Sequence, residues 1–293
     1  MELKILGIGE LLWDVFPDRR HAGGAPFNFA WHARMLGADG QIVTRVGDDE
    51  PGRELRGLVS GAGMDKSLVQ VDRDHPTGTV QVTLSGGQPS YEIVSGVAWD
   101  HIEACAHARA AAREADAVCF GSLAQRSEAS AAAVFELVAE AARATVIFDV
   151  NLRQSFYSRE ILDRSMRSAD VVKLNDRELG IVGELLLGNR SAPALVSEYD
   201  LEVLVETRGA AGCALHTASG CCESPGLAVE VVDCVGAGDA FTAALAVGLK
   251  RGESPATVAV RANQVGALVA SRAGATPAYS PADVDDFAAS RSG

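Results

Sequence analysis

Two periods of hydrophobic residues divide this chain. Leu3 to Gly9, Gln41 to Val46, Ala117 to Phe120, Thr145 to Val150, Val171 to Leu174 and Leu201 to Glu206 are short runs rich in apolar and β-branched residues. Such runs predict strands buried on both faces. Phe27 to Leu36, Glu50 to Gly61, Cys105 to Glu114 and Ser127 to Arg143 instead repeat their apolar residues at helical spacing. Alternation of the two patterns predicts an α/β fold, a mostly parallel sheet between two layers of helices. The end of the chain reads as helical throughout, over Ala237 to Lys250, Pro255 to Ser271 and Pro281 to Ser290.

One interval breaks the rhythm. From Thr77 to Leu84, Thr79, Gln81 and Thr83 alternate with Val80, Val82 and Leu84, the signature of a half-buried strand. Gly86-Gly87 marks a turn, and Ser90 to Val94 reads as the returning strand. With part of Leu11 to His21, this predicts a small β sheet projecting from the core. The chain has no solenoid repeat and no linker between independent domains. A single domain over residues 1–293 is expected, with a β lid formed by about 11–21 and 77–98.

The densest chemical signal is Val232-Asp233-Cys234-Val235-Gly236-Ala237-Gly238-Asp239-Ala240-Phe241. Leu227 to Val232 reads as a strand, and the run after Ala240 as a helix, so the turn is expected at a strand-to-helix junction. Gly236 and Gly238 let backbone approach a ligand closely. The first N–H groups of a helix lack intrahelical partners, and the dipole there favours negative charge. Gly236, Ala237 and Gly238 therefore form a candidate anion hole. Asp239 at its edge is placed to take a proton from an attacking hydroxyl, which points to phosphoryl transfer to an alcohol. A capping Asp in an ordinary Gly-rich turn would show the same local pattern.

The 293 residues are 47% apolar, ample for a large core, and carry a formal charge of −13. That balance argues against nucleic acid and anionic membrane surfaces as partners. It also repels an anionic nucleotide, so local help from Lys173, Arg153, Arg208, backbone N–H groups and Mg²⁺ is required. The six cysteines show no C-x-x-C pair or metal spacing, and Cys221-Cys222 are adjacent. Reduced thiols are expected. With no basic-then-apolar leader and no apolar run of membrane-spanning length, a cytoplasmic location follows as the expectation.

Five elements in order resemble the ribokinase-like (PfkB) carbohydrate kinases. They are Gly23-Gly24-Ala25-Pro26-Phe27-Asn28, Asp149-Val150-Asn151-Leu152-Arg153, Lys173-Leu174-Asn175-Asp176-Arg177-Glu178-Leu179, Thr207-Arg208-Gly209-Ala210-Ala211-Gly212, and the Gly-Ala-Gly-Asp turn. The second is similar to the Asp-Pro-Asn-Leu-Arg run of the fructokinase-like branch, with Val150 in place of Pro. The resemblance implies a ribokinase-like three-layer core with a small β lid over the sugar.

It implies the following roles. Asp239 is the general base, while Asp14, Gly23, Gly24, Asn28 and Arg153 contact substrate. Asn151, Lys173, Asn175, Thr207, Arg208, Gly209, Gly212 and Asn263 serve the nucleotide, with Asn263 facing the adenine. Asn175 and Glu178 organise Mg²⁺, through water. They also have the spacing of a helix-capping pair. Asp233, with the Ala270 to Ser280 loop, forms a candidate K⁺ site, although Cys234-Val235 replaces the Thr-Thr of many relatives. Glu10 is weighed beside Asp14 as a further sugar contact, against the reading of a surface carboxylate at a strand end. A homodimer through the lid is expected.

The implied reaction is ATP-dependent phosphorylation of a primary hydroxyl on a small neutral sugar, fructose first. The alternatives are a 2-keto-3-deoxygluconate kinase, another sugar or nucleoside kinase, and a catalytically silent sugar-binding regulator. Glu92 in Ser90-Tyr91-Glu92-Ile93 would repel a sugar acid if it faced inward. A dinucleotide-dependent oxidoreductase is rejected: Gly7-Ile8-Gly9 lacks the third glycine, and Leu12 stands in its place.

Overall fold

Strand and helix alternate as expected in the computed structural model, which describes residues 2–85 and 88–291. The parallel strands of the main sheet are β1 (Lys4–Ile8), β4 (Asp39–Gly47), β5 (Val69–Asp72), β8 (Ala117–Gly121), β9 (Thr145–Asp149), β10 (Val171–Asn175) and β11 (Val203–Thr207). An antiparallel hairpin, β12 (Cys213–Thr217) and β13 (Gly220–Ser224), extends one edge. Among the described residues the order is β13-β12-β11-β10-β9-β8-β1-β4-β5. The chain leaves β1 for β4 on one side and returns to β8 on the other. Ligands of open α/β sheets bind at such switch points, outside the carboxyl ends of the strands.

Side-chain parity decides what each face carries. Leu6, Val118, Phe120, Phe148, Val172 and Leu204 pack on one side, under α3 (Ala106–Glu114), α4 (Glu128–Glu140), α5 (Arg159–Arg167), α6 (Asp176–Leu187) and α7 (Ala192–Tyr199). Ile5, Cys119, Ile147, Val171 and Val205 pack on the other, under α1 (Ala25–Met35), α8 (Ala237–Lys250), α9 (Pro255–Ala270) and α10 (Pro281–Ala289). Asp149 and Lys173 lie two residues beyond Ile147 and Val171. The same parity therefore points both at α8.

A separate sheet of order β3-β2-β6-β7 is built from β2 (Leu12–Val15), β3 (Arg20–Gly23), β6 (Thr79–Ser85) and β7 (Gln88–Ile93). The turn expected at Gly86-Gly87 lies outside the described residues. Asp14 pairs with Val80, and Val80 with Ile93, so these three share one face. Val15, Gln81 and Glu92 form the next row, on the opposite face. Glu92 is thus exposed on the face away from Asp14, and its expected repulsion of a sugar acid loses its basis.

The strand expected from Leu227 to Val232 does not form. The hairpin β12–β13 already occupies that edge of the sheet, and Pro225-Gly226 ends its ladder. The following segment crosses to α8 as coil, leaving Val231 56% and Val232 60% exposed. The anion-hole turn is therefore a loop-to-helix junction.

A buried ion pair fixes the root of the second sheet. Arg126 donates to Asp100 through Nε at 2.7 Å and Nη2 at 2.9 Å, and to the Val94 carbonyl at 2.7 Å. Its guanidinium stacks 3.8 Å from the Trp99 ring centroid. Asp100 also accepts the N–H of Gly96 at 2.9 Å, where φ is +71°. Removing one partner of such a pair strands the other charge away from water. Arg126→Ala should cost about 3–5 kcal/mol, read by urea unfolding. Replacing both partners, as Asp100→Asn with Arg126→Met, should cost less than the single change. A single variant as stable as the parent would refute this assignment.

Candidate active site

Strand ends and helix starts converge on one cleft edge. Gly24 caps α1 at φ +113°, and a side chain there would collide with the Glu10 carbonyl. Gly23 lies against the Asp14 carboxylate, again with no room for a Cβ. These close approaches explain the paired glycines in packing terms. One turn into α1, Asn28 donates from Nδ2 to Asp239 Oδ2 at 2.7 Å. The remaining Asn28 oxygen, Oδ1, is buried without a partner.

Of the two readings of Glu10, the surface carboxylate is excluded. The residue is 3% exposed. Its Oε1 accepts the Ala25 N–H at 3.1 Å, and its Oε2 is buried with no partner. Its signal was position alone, the first carboxylate past β1. Two buried, orphaned oxygens beside Asp239 fit a ligand rich in hydroxyl groups, because buried polar atoms are otherwise satisfied.

Gly236 caps α8 in the left-handed region, at φ +79°, with its backbone against Ala275. Among the described residues, the Gly238 and Asp239 N–H groups have no acceptor. Beneath them lies Lys173, whose Nζ contacts both Asp149 oxygens at 3.1 Å. A Cβ on Gly238 would stand 3.2 Å from that Nζ. Thr242 donates to Asp149 Oδ2 at 2.9 Å. Asp149 and Thr242 were not singled out in the sequence as site residues, although Asp149 opens a quoted run.

Burial dominates the electrostatics. It pushes the Asp239 carboxyl up to about 6, helped by the Asp149 charge and opposed by Asn28, Lys173 and Arg153. It pushes Glu10 up to about 7 and Asp14 up to about 6, with Arg153 opposing in both cases. Burial pulls Lys173 down, but Asp149, Asp239 and Glu178 more than offset it and leave the amine raised. Arg153 is exposed and donates to the Leu152 carbonyl at 3.2 Å. Its charge is felt by all three carboxylates of the sugar half.

Asn175 and Glu178 form the expected capping box. Asn175 Oδ1 accepts the Glu178 N–H at 2.8 Å, and Glu178 Oε2 accepts the Asn175 N–H at 2.9 Å. Glu178 Oε1 accepts the Leu152 N–H at 2.8 Å. One carboxylate thereby ties α6 to the loop carrying Asn151, held at φ +39°, and Arg153. Among the described residues, no group of three or more His, Cys, Asp or Glu side chains converges on a metal.

The nucleotide-side residues divide. Thr207 ends β11, and Gly209 and Gly212 take positive φ in the turn that follows. Arg208 is paired with Glu206 and Glu223, each at 2.8 Å. Asn263, expected to face a base, is turned inward. It is buried, and its amide donates to the Ser224 and Pro225 carbonyls, each at 3.2 Å. Asp233 accepts the Val235 N–H at 3.0 Å and the Gly274 N–H at 3.1 Å, joining the loop before α8 to the loop after α9.

A helix start with unpaired N–H groups beside a buried carboxylate and two orphaned buried oxygens fits a phosphotransferase acting on an alcohol. Residues 8–282 match the pfkB family of carbohydrate kinases, and the chain belongs to that family. It is 29% identical to a fructokinase of Escherichia coli over 262 residues, 85% of each chain. A fructokinase from Xylella fastidiosa, solved with bound ATP, superposes with a TM-score of 0.89 at 25% identity, over 99% of this chain and 100% of that one. A double mutant of the Vibrio cholerae O395 fructokinase, solved with fructose, ADP and potassium ion, gives 0.83 at 25% identity, over 97% and 98%. The protein is a carbohydrate kinase with the ribokinase-like fold.

The raised Asp239 pKa fixes the sign of a stability effect. The folded carboxyl, at about 6, lies above its ordinary 3.8. The folded state therefore holds more protons between these values and gains stability as pH falls through them. Above pH 6 the ionised group is a cost. Asp239→Asn should be more stable than the parent at pH 8 by about 1–3 kcal/mol, with the gap closing towards pH 4. Urea unfolding at several pH values checks this. A gap that stayed constant with pH would contradict it.

Proposed function

We propose that the protein transfers the γ-phosphoryl group of ATP to a primary hydroxyl of a small neutral sugar, with fructose the first candidate. The observation that carries this reading is Asp239: hydrogen-bonded to Asn28 through one oxygen, and next to the unpaired N–H groups opening α8. The free Asp239 oxygen accepts the hydroxyl proton as the O–P bond forms. Gly238 and Asp239 N–H groups, with Lys173 beneath, stabilise charge on the transferring group. Asp14, Asn28 and the close backbone of Gly23 and Gly24 hold the sugar. Arg153 stands at the boundary, where its charge reaches both the sugar carboxylates and Asp239.

Mg²⁺ would be held through water near Asn175 and Glu178, and when bound it neutralises phosphate charge. Thr207, Gly209 and Gly212 border the nucleotide, and Asp233 with the 270–280 loop is the candidate K⁺ site. The sheet β3-β2-β6-β7 serves as the lid and as the dimer surface, its Asp14 face turned to the sugar. Glu10, Asp14 and Asp239 make the sugar half acidic, which favours a neutral substrate over 2-keto-3-deoxygluconate.

Asp239→Ala should cut turnover by ~10²–10⁴ with little change in sugar affinity. A coupled assay across ketoses, aldoses, nucleosides and 2-keto-3-deoxygluconate checks both halves of the proposal. Efficient use of the sugar acid with fructose inert would overturn the substrate choice. Retention of more than about a third of parental kcat, far above a general base's ~10²-fold minimum, would remove Asp239 as base.

Glu178→Gln should weaken the hold on the 151–153 loop and raise the Mg²⁺ concentration needed for half-maximal rate. An unchanged Mg²⁺ titration would detach Glu178 from the metal.

A further inference from the structure

Helix α1 carries a second buried polar side chain one turn beyond Asn28. His32 is fully buried. Its Nε2 lies 2.9 Å from the Ala275 carbonyl, and its Nδ1 lies 3.0 Å from the Tyr279 hydroxyl. A carbonyl only accepts, so Nε2 bears the hydrogen, and Nδ1 accepts from the Tyr279 O–H. The two rings stack at 5.7 Å. Neighbouring Trp31 donates from Nε1 to the Pro277 carbonyl at 3.3 Å. Three hydrogen bonds thus run from α1 to the 275–279 loop.

That loop is the wall behind the anion hole. Ala275 lies so close to Gly236 that no side chain fits between them. Gly274, one residue earlier, is bonded to Asp233 at 3.1 Å. The same helix therefore fixes Asp239 directly through Asn28 and fixes the start of α8 indirectly through Ala275.

We propose that His32 is a positioning residue for the phosphate half of the site, holding Ala275, and through it Gly236, where the N–H groups opening α8 meet the nucleotide. It touches neither sugar nor phosphate. The proposal rests on the kinase reading for its setting. Nucleotide binding can be measured without any sugar, which separates the two.

The test compares three variants by calorimetric titration with MgADP, by KM for fructose and by thermal unfolding. His32→Phe keeps the ring stack but leaves the Ala275 carbonyl unpaired. It should weaken MgADP binding about tenfold, the size of one lost buried hydrogen bond. KM for fructose should stay within about twofold, well short of that tenfold step. His32→Gln, which can still donate to Ala275, should recover most of the loss. Tyr279→Phe removes the other His32 bond and should lower stability while leaving MgADP binding at the parental value.

Parental MgADP affinity in His32→Phe, or equal weakening in Tyr279→Phe, would overturn the proposal. If His32→Phe does not fold, His32→Leu takes its place, since it also leaves the Ala275 carbonyl unpaired. The same loss of MgADP affinity is then expected, and parental affinity would overturn the proposal. If fructose proves inert, the substrate reading fails, and the MgADP titrations still decide the role of His32.

Discussion

Two carboxylates that repel one another share a single ammonium at the centre of this protein. Asp149 and Asp239 come from β9 and α8, and Lys173 from β10. Burial opposes the charged forms of Lys173 and Asp239. Lys173 keeps its charge because Asp149, Asp239 and Glu178 surround it, and Lys173 and Thr242 both bond the Asp149 carboxylate. Asp239 receives only part of this compensation, which is why its pKa rises. The cluster ties the sheet to α8 and leaves one carboxylate short of full stabilisation.

That shortfall suits catalysis. A base fully satisfied by its surroundings would have little affinity for a proton. A base with no partner would be badly placed and mostly protonated. Asp239 lies between these limits, oriented by Asn28 and raised by burial and then by Asp149. The cost in stability is confined to a few side chains, because the strands beneath are apolar and buried on both faces. That cost falls on the carboxylate proposed above as the proton acceptor.

Much of this was legible in the sequence, and the legible parts share a cause. Buried parallel strands announce themselves by composition, and α2 ran from Glu50 to Gly61 as its pattern required. The glycine pairs were legible because nothing else fits where backbones nearly touch. The failures came where burial depends on partners distant in sequence. Leu227 to Val232 had strand composition, but the β12–β13 hairpin had already taken the edge. Glu10 stayed open between site and surface because only α1, folding over it, buries it. Asn263 had a helical position but no sign that it would turn inward to Ser224.

Orientation of the small sheet shows the same limit from another side. Alternation identified a half-buried strand but not whether Asp14 and Glu92 would share a face. Register decided it. Asp14 shares its row with Val80 and Ile93, whereas Glu92 belongs to the neighbouring row. A shift of one residue in either pairing would have exchanged the two faces. The ground for proposing a neutral sugar therefore moves from Glu92 to Glu10, Asp14 and Asp239, three acidic groups in one half of the site. Arg153 is the cation that opposes all three. A substrate carboxylate would have to compete with them for that one guanidinium. A neutral sugar leaves it free for the phosphoryl group, and that is the physical ground for placing Arg153 at the boundary between the two halves.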